Sequence, residues 1–264
     1  MKKQVLSLQS LPNLREMDKY KNKDGRSIRS GKLFRSENLV HASSDDKKIL
    51  FSPNGLNIKT IIDLRSTREI ALSPYSLQNI DVNYCNIDVS DIDFMHEINF
   101  ANGLEKFLNS YTFEELQEVI KNMYRQYVSS EHCRLALKKV FETILNSGER
   151  PLLYHCVSGK DRTGLITVMI MMMLEFTPKD IKKEYLLTNI RRLDYNLKKF
   201  DNIRKDNKNP DYMRKYQYMT LVNPNNLEAF LSEIYKAFGT PQAYFDSIGM
   251  NKENIIKLKE LLLA

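Results

Sequence analysis

The predicted fold is centred on residues 151–174, which read PLLYHCVSGKDRTGLITVMIMMML. Residues 151–154 form a short apolar run of the kind found in buried strands. Residues 163–174 are apolar on nearly every side, which predicts a helix buried inside the domain. A polar loop containing glycine separates the two. The stretch therefore predicts a strand, a loop and a buried helix at the centre of the molecule.

Short apolar runs bounded by polar turns predict three further buried strands, at residues 32–35, 60–64 and 82–87. Apolar residues at helical spacing predict helices over residues 112–128 and 132–145. Strands that alternate with helices are typical of an α/β fold with a mostly parallel central sheet flanked by helices. Such sheets bind ligands at the carboxyl ends of their strands.

Capping residues mark where several of the predicted helices begin. Thr112 and Glu115 form a capping-box pair at the start of the helix over residues 112–128. Thr177 and Asn223 each precede a proline, which favours a helix start at both places, and Gly239 is the predicted end of the second of these helices. The C-terminal third is therefore predicted to be mostly helical.

The composition is that of an ordinary globular protein. The chain has 264 residues, 42% of them hydrophobic, and no apolar run approaches the roughly 18 residues that a membrane span requires. No linker or repeat divides it, so residues 1–264 are predicted to form a single domain. The first ten residues lack a signal-peptide pattern, which predicts a cytoplasmic protein, or a secreted one if a leader has been removed.

The three cysteines, Cys85, Cys133 and Cys156, are widely spaced and odd in number. This spacing argues against a disulfide framework and against a CxxC zinc site. Cys85 is interpreted as a buried strand cysteine, with a protective disulfide to Cys156 under oxidation as the alternative. No metal is predicted.

The loop after residues 151–154 has the composition of an anion cradle. Cys156 follows the predicted strand, and Arg162 stands six positions later in the first turn of the buried helix. Successive backbone N–H groups of such a loop can point at one spot, and the helix N-terminus adds free donors and a positive dipole end. Gly159 allows the turn. This positive surrounding favours the thiolate form of Cys156, which is a nucleophile.

The ten-residue motif HCxxGKDRTG at residues 155–164 resembles the signature of the cysteine-dependent phosphatase superfamily, and specifically of the bacterial tyrosine phosphatase-like family. LPNLREM at residues 11–17, DGRSIRSGKLFRSENL at 24–39 and TIIDLRSTRE at 60–69 are similar to that family's N-terminal elements. The segment NLREM differs from the corresponding family motif because it lacks a glycine pair after the acidic residue. The resemblance covers about residues 11–263 and implies a tyrosine-phosphatase-like fold.

The resemblance implies a two-step hydrolysis of phosphate monoesters through a phosphocysteine intermediate, without metal or other cofactor. Cys156 would be the nucleophile, Arg162 would stabilise the transition state, and His155 would tune the thiol. The residues implied to bind phosphate are Val157, Ser158, Gly159, Lys160, Thr163 and Gly164.

A general acid must protonate the leaving oxygen. The chain has no tryptophan and so lacks the Trp-Pro-Asp loop of the larger eukaryotic tyrosine phosphatases. The resemblance favours Asp161, inside the loop. Asp63, at a predicted strand end, ranks second, and Asp88, after the strand at 82–87, ranks third.

The implied substrates are phosphotyrosine proteins, with phosphoserine, phosphothreonine and phosphoinositides included in a broad specificity, and inorganic phosphate is the product. Lys160 favours polyanionic headgroups, because a related phosphoinositide phosphatase has lysine at this position. The alternatives are a non-catalytic module that binds phosphate or phosphoinositide, and an arsenate reductase. No nucleic acid is predicted as a partner, since no nucleic-acid motif accompanies the positive charge. The chain is expected to be a monomer.

Positive charge is concentrated in one segment. Residues 179–219 contain twelve basic and six acidic residues. This segment therefore has a net charge of +6, compared with +7 for the whole chain. By resemblance, residues 179–220 form a helical lid over the active site. The charge is interpreted either as a solvated helical face or as an entrance that attracts phosphorylated proteins or anionic lipid headgroups, with peripheral contact to an anionic membrane.

Overall fold

A five-stranded sheet forms the centre of the computed structural model, which describes residues 8–90, 103–206 and 209–264. The strand order is β1-β2-β5-β3-β4, and every neighbouring pair is parallel except β1 with β2. The prediction of a mostly parallel sheet is confirmed. The strands are β1 (Arg15–Glu16), β2 (Leu33–Ser36), β3 (Thr60–Asp63), β4 (Asn83–Asn86) and β5 (Leu152–His155).

Helices cover both faces of the sheet. They are α1 (Ser44–Phe51), α2 (Thr67–Leu72), α3 (Gly103–Asn109), α4 (Phe113–Ser129), α5 (Glu131–Asn146), α6 (Asp161–Met173), α7 (Pro178–Arg191), α8 (Leu193–Asp206), α9 (Pro210–Thr220), α10 (Pro224–Phe238), α11 (Pro241–Ser247) and α12 (Lys252–Leu262), with a short 3-10 helix at Leu39–His41. The predicted helical C-terminal third is confirmed.

The central strands are buried on both sides, as the continuous apolar run in β5 predicted. Leu153 and Ile61 pack in one hydrophobic cluster, and Leu152, Tyr154 and Ile62 pack in another that includes α6. Alternate residues of a strand point to opposite faces, so two layers of helices can each bury one set. This burial fixes the position of the loop between β5 and α6.

The predicted helix starts agree with the structure. Thr112 and Glu115 form the capping box of α4, Thr177 caps α7, and Asn223 caps α10. Gly239 ends α10 with a φ of 73°, in the left-handed region that favours glycine. These starts and stops were predictable because they depend on side chains within a few residues of the backbone groups that they bind.

The expectation that β4 and Cys85 are buried is wrong. Asn83, Tyr84 and Asn86 are exposed and Cys85 is half-buried, because β4 lies at the end of the sheet with β3 as its hydrogen-bonded neighbour. Cys85 is in register with Ile62, and β3 separates β4 from β5. Two strand spacings put Cys85 about 9 to 10 Å or more from the β5 backbone. This separation is beyond disulfide reach without backbone movement, and the described cysteines are all free thiols.

Among the described residues, no helix combines the length and the apolar character needed to cross a bilayer.

Candidate active site

The candidate site lies at the carboxyl edge of the sheet, where three strands end at one level. His155 at the end of β5 is in register with Ser36 of β2 and with Asp63 of β3. Cys156 follows directly and is buried, and α6 begins five residues later at Asp161. The sheet register therefore brings the loop at residues 156–160 between the ends of β2 and β3.

A cavity of about 160 Å³ opens above this loop. Its floor includes Cys156, Lys160, Asp161 and Arg162, and its upper walls come from α4 and from the end of α9. The lining residues are Ser90, Ile120, Met123, Tyr127, Cys156, Val157, Ser158, Lys160, Asp161, Arg162, Tyr218, Met219, Leu221 and Asn226. Most of the wall residues are apolar or aromatic, whereas the floor is polar.

The carbonyl groups of the loop are turned outward, into the protein. The Val157 carbonyl accepts from the Asn38 N–H at 3.0 Å, and the carbonyls of Ser158 and Gly159 accept from the Asn13 side-chain amide at 3.1 and 2.9 Å. In a trans peptide the C=O and the next N–H point in opposite directions. The amide N–H groups of the loop therefore point inward, toward the cavity, as an anion site requires.

Gly159 is the position where the loop tolerates no side chain. Its φ is 64°, and an added Cβ would lie 2.3 Å from the backbone oxygen of Ser36. Both the left-handed backbone and the close approach to β2 therefore require glycine. At Gly164, within α6, an added Cβ would lie 3.4 Å from the ring of Tyr185, so this position is close to its neighbour without a left-handed backbone.

Buried ion pairs hold the loop from behind. Arg35 donates to the Gly159 carbonyl at 2.8 Å, and its other nitrogen lies 3.4 Å from Glu184. Arg15, from the NLREM segment, donates to the same Glu184 carboxylate at 2.7 Å. All three side chains are buried. Because neither Arg35 nor Glu184 sits in the loop motif, sequence reasoning gave them no role.

A second buried pair joins the lid helices to the loop. Arg192, between α7 and α8, donates to Glu37 at 3.0 Å and to the Ser158 carbonyl at 3.3 Å. Glu37 also accepts from the Asn13 backbone N–H at 2.9 Å. Arg192, part of the positive charge interpreted as a solvated face or a substrate entrance, is therefore internal and holds the loop.

Arg162 is held by a carboxylate that the sequence interpretation overlooked. Its two terminal nitrogens donate to the two carboxylate oxygens of Glu69 at 2.6 and 2.7 Å. Glu69 also completes the capping box of α2 with Ser66. Burial opposes the charge of Glu69, but the hydrogen bonds and the charge of Arg162, together with the hydrogen bonds from Ser66, outweigh it and lower the pKa of this carboxyl. The S-x-x-E spacing at Ser66 was the available signal, since it predicts a cap.

His155 is fully buried beneath the loop. Its Nδ1 lies 3.0 Å from the Cys156 carbonyl, and its Nε2 lies 2.7 Å from the Tyr75 hydroxyl. Burial lowers the pKa of His155, which favours the neutral ring. A carbonyl only accepts, so Nδ1 carries the proton and Nε2 accepts from Tyr75. His155 thus fixes the first peptide of the loop.

Asp161 is the predicted acid that the structure brings to the cavity. Its carboxylate accepts from the Tyr124 hydroxyl and lies 2.9 Å from the ammonium of Lys160. Tyr124 is itself hydrogen-bonded to the Tyr185 hydroxyl at 2.8 Å. Lys160 also donates to the Met219 carbonyl at 2.7 Å, at the end of α9. The loop acid is therefore held by α4 and by its own neighbour, and it faces the same cavity as Cys156.

Asp63 lies behind the loop and is not among the residues that line the cavity. Arg65 donates to both of its oxygens, at 2.9 and 2.8 Å, and the Tyr84 hydroxyl donates at 2.8 Å. Burial opposes its charge, but these hydrogen bonds and the nearby charge of Arg65 together lower the pKa of Asp63. Its oxygens are therefore engaged within the protein.

Asp88 and Thr163 also lie outside the cavity lining. Asp88 accepts from the Ser90 N–H at 2.9 Å, so Ser90 faces the cavity while Asp88 fixes its loop. Residues 91–102, which follow, are outside the described part of the chain. Thr163 is fully buried, and within the described residues its hydroxyl has no hydrogen-bond partner.

The roof of the cavity is the end of α9 and the segment after it, within the region predicted to form a lid. Met219 and Leu221 are half-buried there and line the cavity. The Asn189 side chain, on α7, donates to the Val222 carbonyl and accepts from its N–H, both at 2.9 Å. Among the described residues, no group of three or more His, Cys, Asp or Glu side chains is placed to hold a metal ion.

The model of the tyrosine phosphatase family matches residues 6–264. The triple specificity protein phosphatase PtpB of Mycobacterium tuberculosis is 29% identical over 177 residues, which are 61% of this chain and 62% of that protein. A tyrosine-protein phosphatase of Nostoc commune is 25% identical over 209 residues, 77% of this chain and 66% of its own length. The chain therefore spans less than two thirds of these curated relatives.

Among solved structures, the core catalytic domain of the PP-IP phosphatase SIW14 from S. cerevisiae is 16% identical, with 70% of this chain and 78% of that chain covered and a TM-score of 0.38. Because the family model matches nearly the whole chain, this protein belongs to the tyrosine phosphatase family.

Proposed function

We propose that this member of the tyrosine phosphatase family hydrolyses phosphate monoesters with Cys156 as nucleophile. One observation carries the proposal: Cys156 lies at the floor of a cavity whose loop turns its carbonyls away and its N–H groups inward. Such a cradle binds three phosphoryl oxygens, which leaves the phosphorus facing the sulfur. Arg162 lines the same floor, with its guanidinium oriented by Glu69.

In the first step, the Cys156 thiolate attacks phosphorus in line with the ester oxygen. The S–P bond forms as the P–O bond to the leaving group breaks. Asp161, in its acid form, gives its proton to the leaving oxygen, so an alcohol or phenol departs. The inward N–H groups and Arg162 stabilise the charge on the three equatorial oxygens.

In the second step, water attacks phosphorus, the P–S bond breaks, and the thiolate is regenerated. The Asp161 carboxylate accepts a proton from the attacking water, which restores the acid form and releases inorganic phosphate. No electrons are exchanged and no metal takes part. His155 and Glu69 act through the loop and the guanidinium, so they are positioning residues.

The cavity walls favour an aromatic phosphate ester. Ile120, Met123 and Leu221 provide apolar surface above a floor that carries two cationic side chains, Lys160 and Arg162. A volume of about 160 Å³ is below the range of about 300 to 1,000 Å³ found for drug-sized ligands. A single phosphorylated ring, as in a phosphotyrosine protein, suits this size and polarity.

A broader specificity that includes phosphoserine, phosphothreonine and phosphoinositides is the second candidate. Lys160 favours it, because this ammonium lies beside the phosphate cradle and can bind further oxygens after leaving Asp161 and Met219. The two candidates differ in whether a second phosphate raises or lowers turnover.

The test is phosphate release in EDTA by wild type, Cys156→Ser and Asp161→Asn. The substrates are a phosphotyrosine peptide, a phosphoserine peptide, and mono- and bisphosphorylated phosphoinositides. We expect wild-type activity to survive EDTA and Cys156→Ser to lose about 10⁴-fold or more. Trapping a phosphorylated wild-type enzyme by rapid acid quench, absent in Cys156→Ser, measures the intermediate directly.

Binding separates the proposal from a non-catalytic module. Calorimetric titration of inorganic phosphate into Cys156→Ser tests whether the cradle still binds the anion. Wild type that binds phosphate but releases none from any substrate would make the chain a phosphate-binding module. Activity retained in Cys156→Ser would rule out the thiolate as the nucleophile.

A further inference from the structure

Three large apolar side chains are exposed within eight residues at the junction of α7 and α8. Ile190 is 70% exposed, Leu193 52% and Leu197 48%. These three are called the lid stripe. Isolated exposed leucines are common on protein surfaces, but a cluster of this kind indicates an interaction site.

The lid stripe spans the junction of α7 and α8, where Arg192 leaves helical geometry, with φ −98° and ψ 10°, and caps α7. The Arg192 N–H donates to the Thr188 carbonyl at 3.1 Å, and the Asn196 N–H donates to the Arg192 carbonyl at 2.8 Å. Both are bonds between residues four apart, so the last turn of α7 and the first turn of α8 follow one another closely. Leu193 and Leu197 are four residues apart on α8, which places their side chains on the same face, and Ile190 lies at the end of α7 directly before them.

Basic side chains flank the lid stripe along both helices. Lys179, Lys182 and Lys183 are exposed on α7, and Lys198 and Lys205 are exposed on α8. Within the described residues, no carboxylate oxygen lies within 4.0 Å of any of these five ammonium groups. The ion pairs near this region are formed by other basic residues. They are therefore available to an external anionic surface.

The acidic residues on these helices do not cancel this charge. Residues 178–206 contain nine basic and five acidic residues. Asp201 is paired with Arg204 at 3.2 Å, and Glu184 is buried against Arg15. Asp194 is exposed beside the stripe, where the cations outnumber it.

We propose that the lid stripe and its flanking lysines form a docking surface for an anionic lipid bilayer. An exposed apolar stripe bordered by lysines is the pattern of helices that lie in the membrane interface, with the apolar side chains among the acyl chains and the cations at the headgroups. Charge complementarity favours the bilayer over a second copy of this chain, since two copies would bring like charges together.

This surface adjoins the candidate active site through Arg192. That side chain lies at the α7–α8 junction and binds both Glu37 and the Ser158 carbonyl of the loop. The surface is independent of turnover, so its test does not depend on the proposed reaction.

The test is co-sedimentation of the full chain with vesicles of phosphatidylcholine alone and of phosphatidylcholine mixed with phosphatidylserine. The variants are Leu193→Gln with Leu197→Gln, and Lys182→Ala with Lys183→Ala. The matched control is Leu135→Gln with Ile256→Gln, since these side chains are 55% and 56% exposed on α5 and α12. Circular dichroism and the midpoint of urea unfolding verify that each variant is folded.

Wild type and the control should bind the phosphatidylserine vesicles, and binding should weaken with added salt. Each of the two test variants should bind about tenfold or more weakly. Binding that is absent in wild type, or equal in all variants, would overturn the proposal. A concentration-dependent dimer in size-exclusion chromatography that only the leucine variant loses would instead assign the stripe to self-association.

Discussion

The floor and the roof of the cavity are built in different ways. The floor is the loop at residues 156–160, whose carbonyls are bound by buried groups such as Asn13 and Arg35. The roof is the end of α9, where Met219 is half-buried and is joined to the floor through Lys160. A phosphate cradle requires fixed donors, whereas a roof must let substrate pass. We therefore expect changes in the floor to affect turnover and changes in the roof to affect substrate binding.

The largest contrast is expected between two carboxylates near Cys156. Asp161→Asn should lower kcat on a phosphotyrosine peptide by about 10²- to 10³-fold, because the leaving oxygen loses its proton donor. The loss should be much smaller on para-nitrophenyl phosphate, whose leaving group needs little protonation. Steady-state kinetics on both substrates measure the difference. Equal losses on the two would argue against Asp161 as the acid.

Asp63→Asn is the matched change behind the loop. It leaves Arg65, which is buried, without its carboxylate partner. We expect the free energy of unfolding to fall by about 3 to 5 kcal/mol, as when one partner of a buried pair is removed. Urea denaturation of both variants provides the comparison, in which Asp161→Asn should stay within about 1 kcal/mol of wild type.

The next effect concerns the rigidity of the floor. Gly159→Ala should lower kcat by about 10²-fold and destabilise the fold by about 1 to 3 kcal/mol, because the new Cβ would displace the backbone of β2. Gly148→Ala is the control, since Gly148 also has a positive φ, 57°, but no atom lies within 4 Å of an added Cβ. If both variants behaved alike, the left-handed backbone would explain the loss, and the close approach to Ser36 would not matter.

His155 predicts a pH dependence of stability. Burial lowers its pKa in the folded protein, whereas the unfolded chain titrates near the ordinary value of about 6.5. Below about pH 6.5 the unfolded state binds more protons, so the free energy of unfolding should fall by up to about 1.4 kcal/mol per pH unit. The pKa values of Asp63 and Glu69 are also lowered in the folded protein. Their protonation reduces the free energy of unfolding only below about pH 4.5.

Urea unfolding between pH 5 and 8 measures this slope. His155→Gln should flatten the slope between about pH 5 and 6.5. His132→Gln should leave it unchanged, because His132 is exposed on α5. If the free energy of unfolding had the same pH dependence in wild type and His155→Gln, His155 would not be buried in its neutral form.

The smallest effect is expected in the roof. Asn189→Ala removes two hydrogen bonds to Val222, worth about 0.5 to 1.5 kcal/mol each. We expect a few-fold change in KM with kcat nearly constant. Asn202→Ala, on the exposed side of α8, is the control. A loss of kcat without a change in KM would remove the distinction between floor and roof.

Local patterns in the sequence predicted most elements and the position of the loop. The apolar run of β5 and the all-apolar α6 predicted the central strand, loop and helix. The capping residues Thr112, Thr177 and Asn223 predicted three helix starts. The prediction for β4 was wrong about burial because an edge strand and a central strand differ in their neighbours, which are remote in sequence. Period-two patterns contain no information on which strand lies at the edge.

The sequence alone predicted the cysteine, the glycine and the arginine of the proposed anion cradle, because they lie within ten adjacent residues. The tertiary structure decided which carboxylates serve which purpose. Asp161 and Asp63 are both near Cys156, yet one lines the cavity and the other is bound by Arg65. Glu69 reaches Arg162 from 93 residues away. Such pairings depend on sheet register and helix packing, which bring distant residues together and which no local spacing contains.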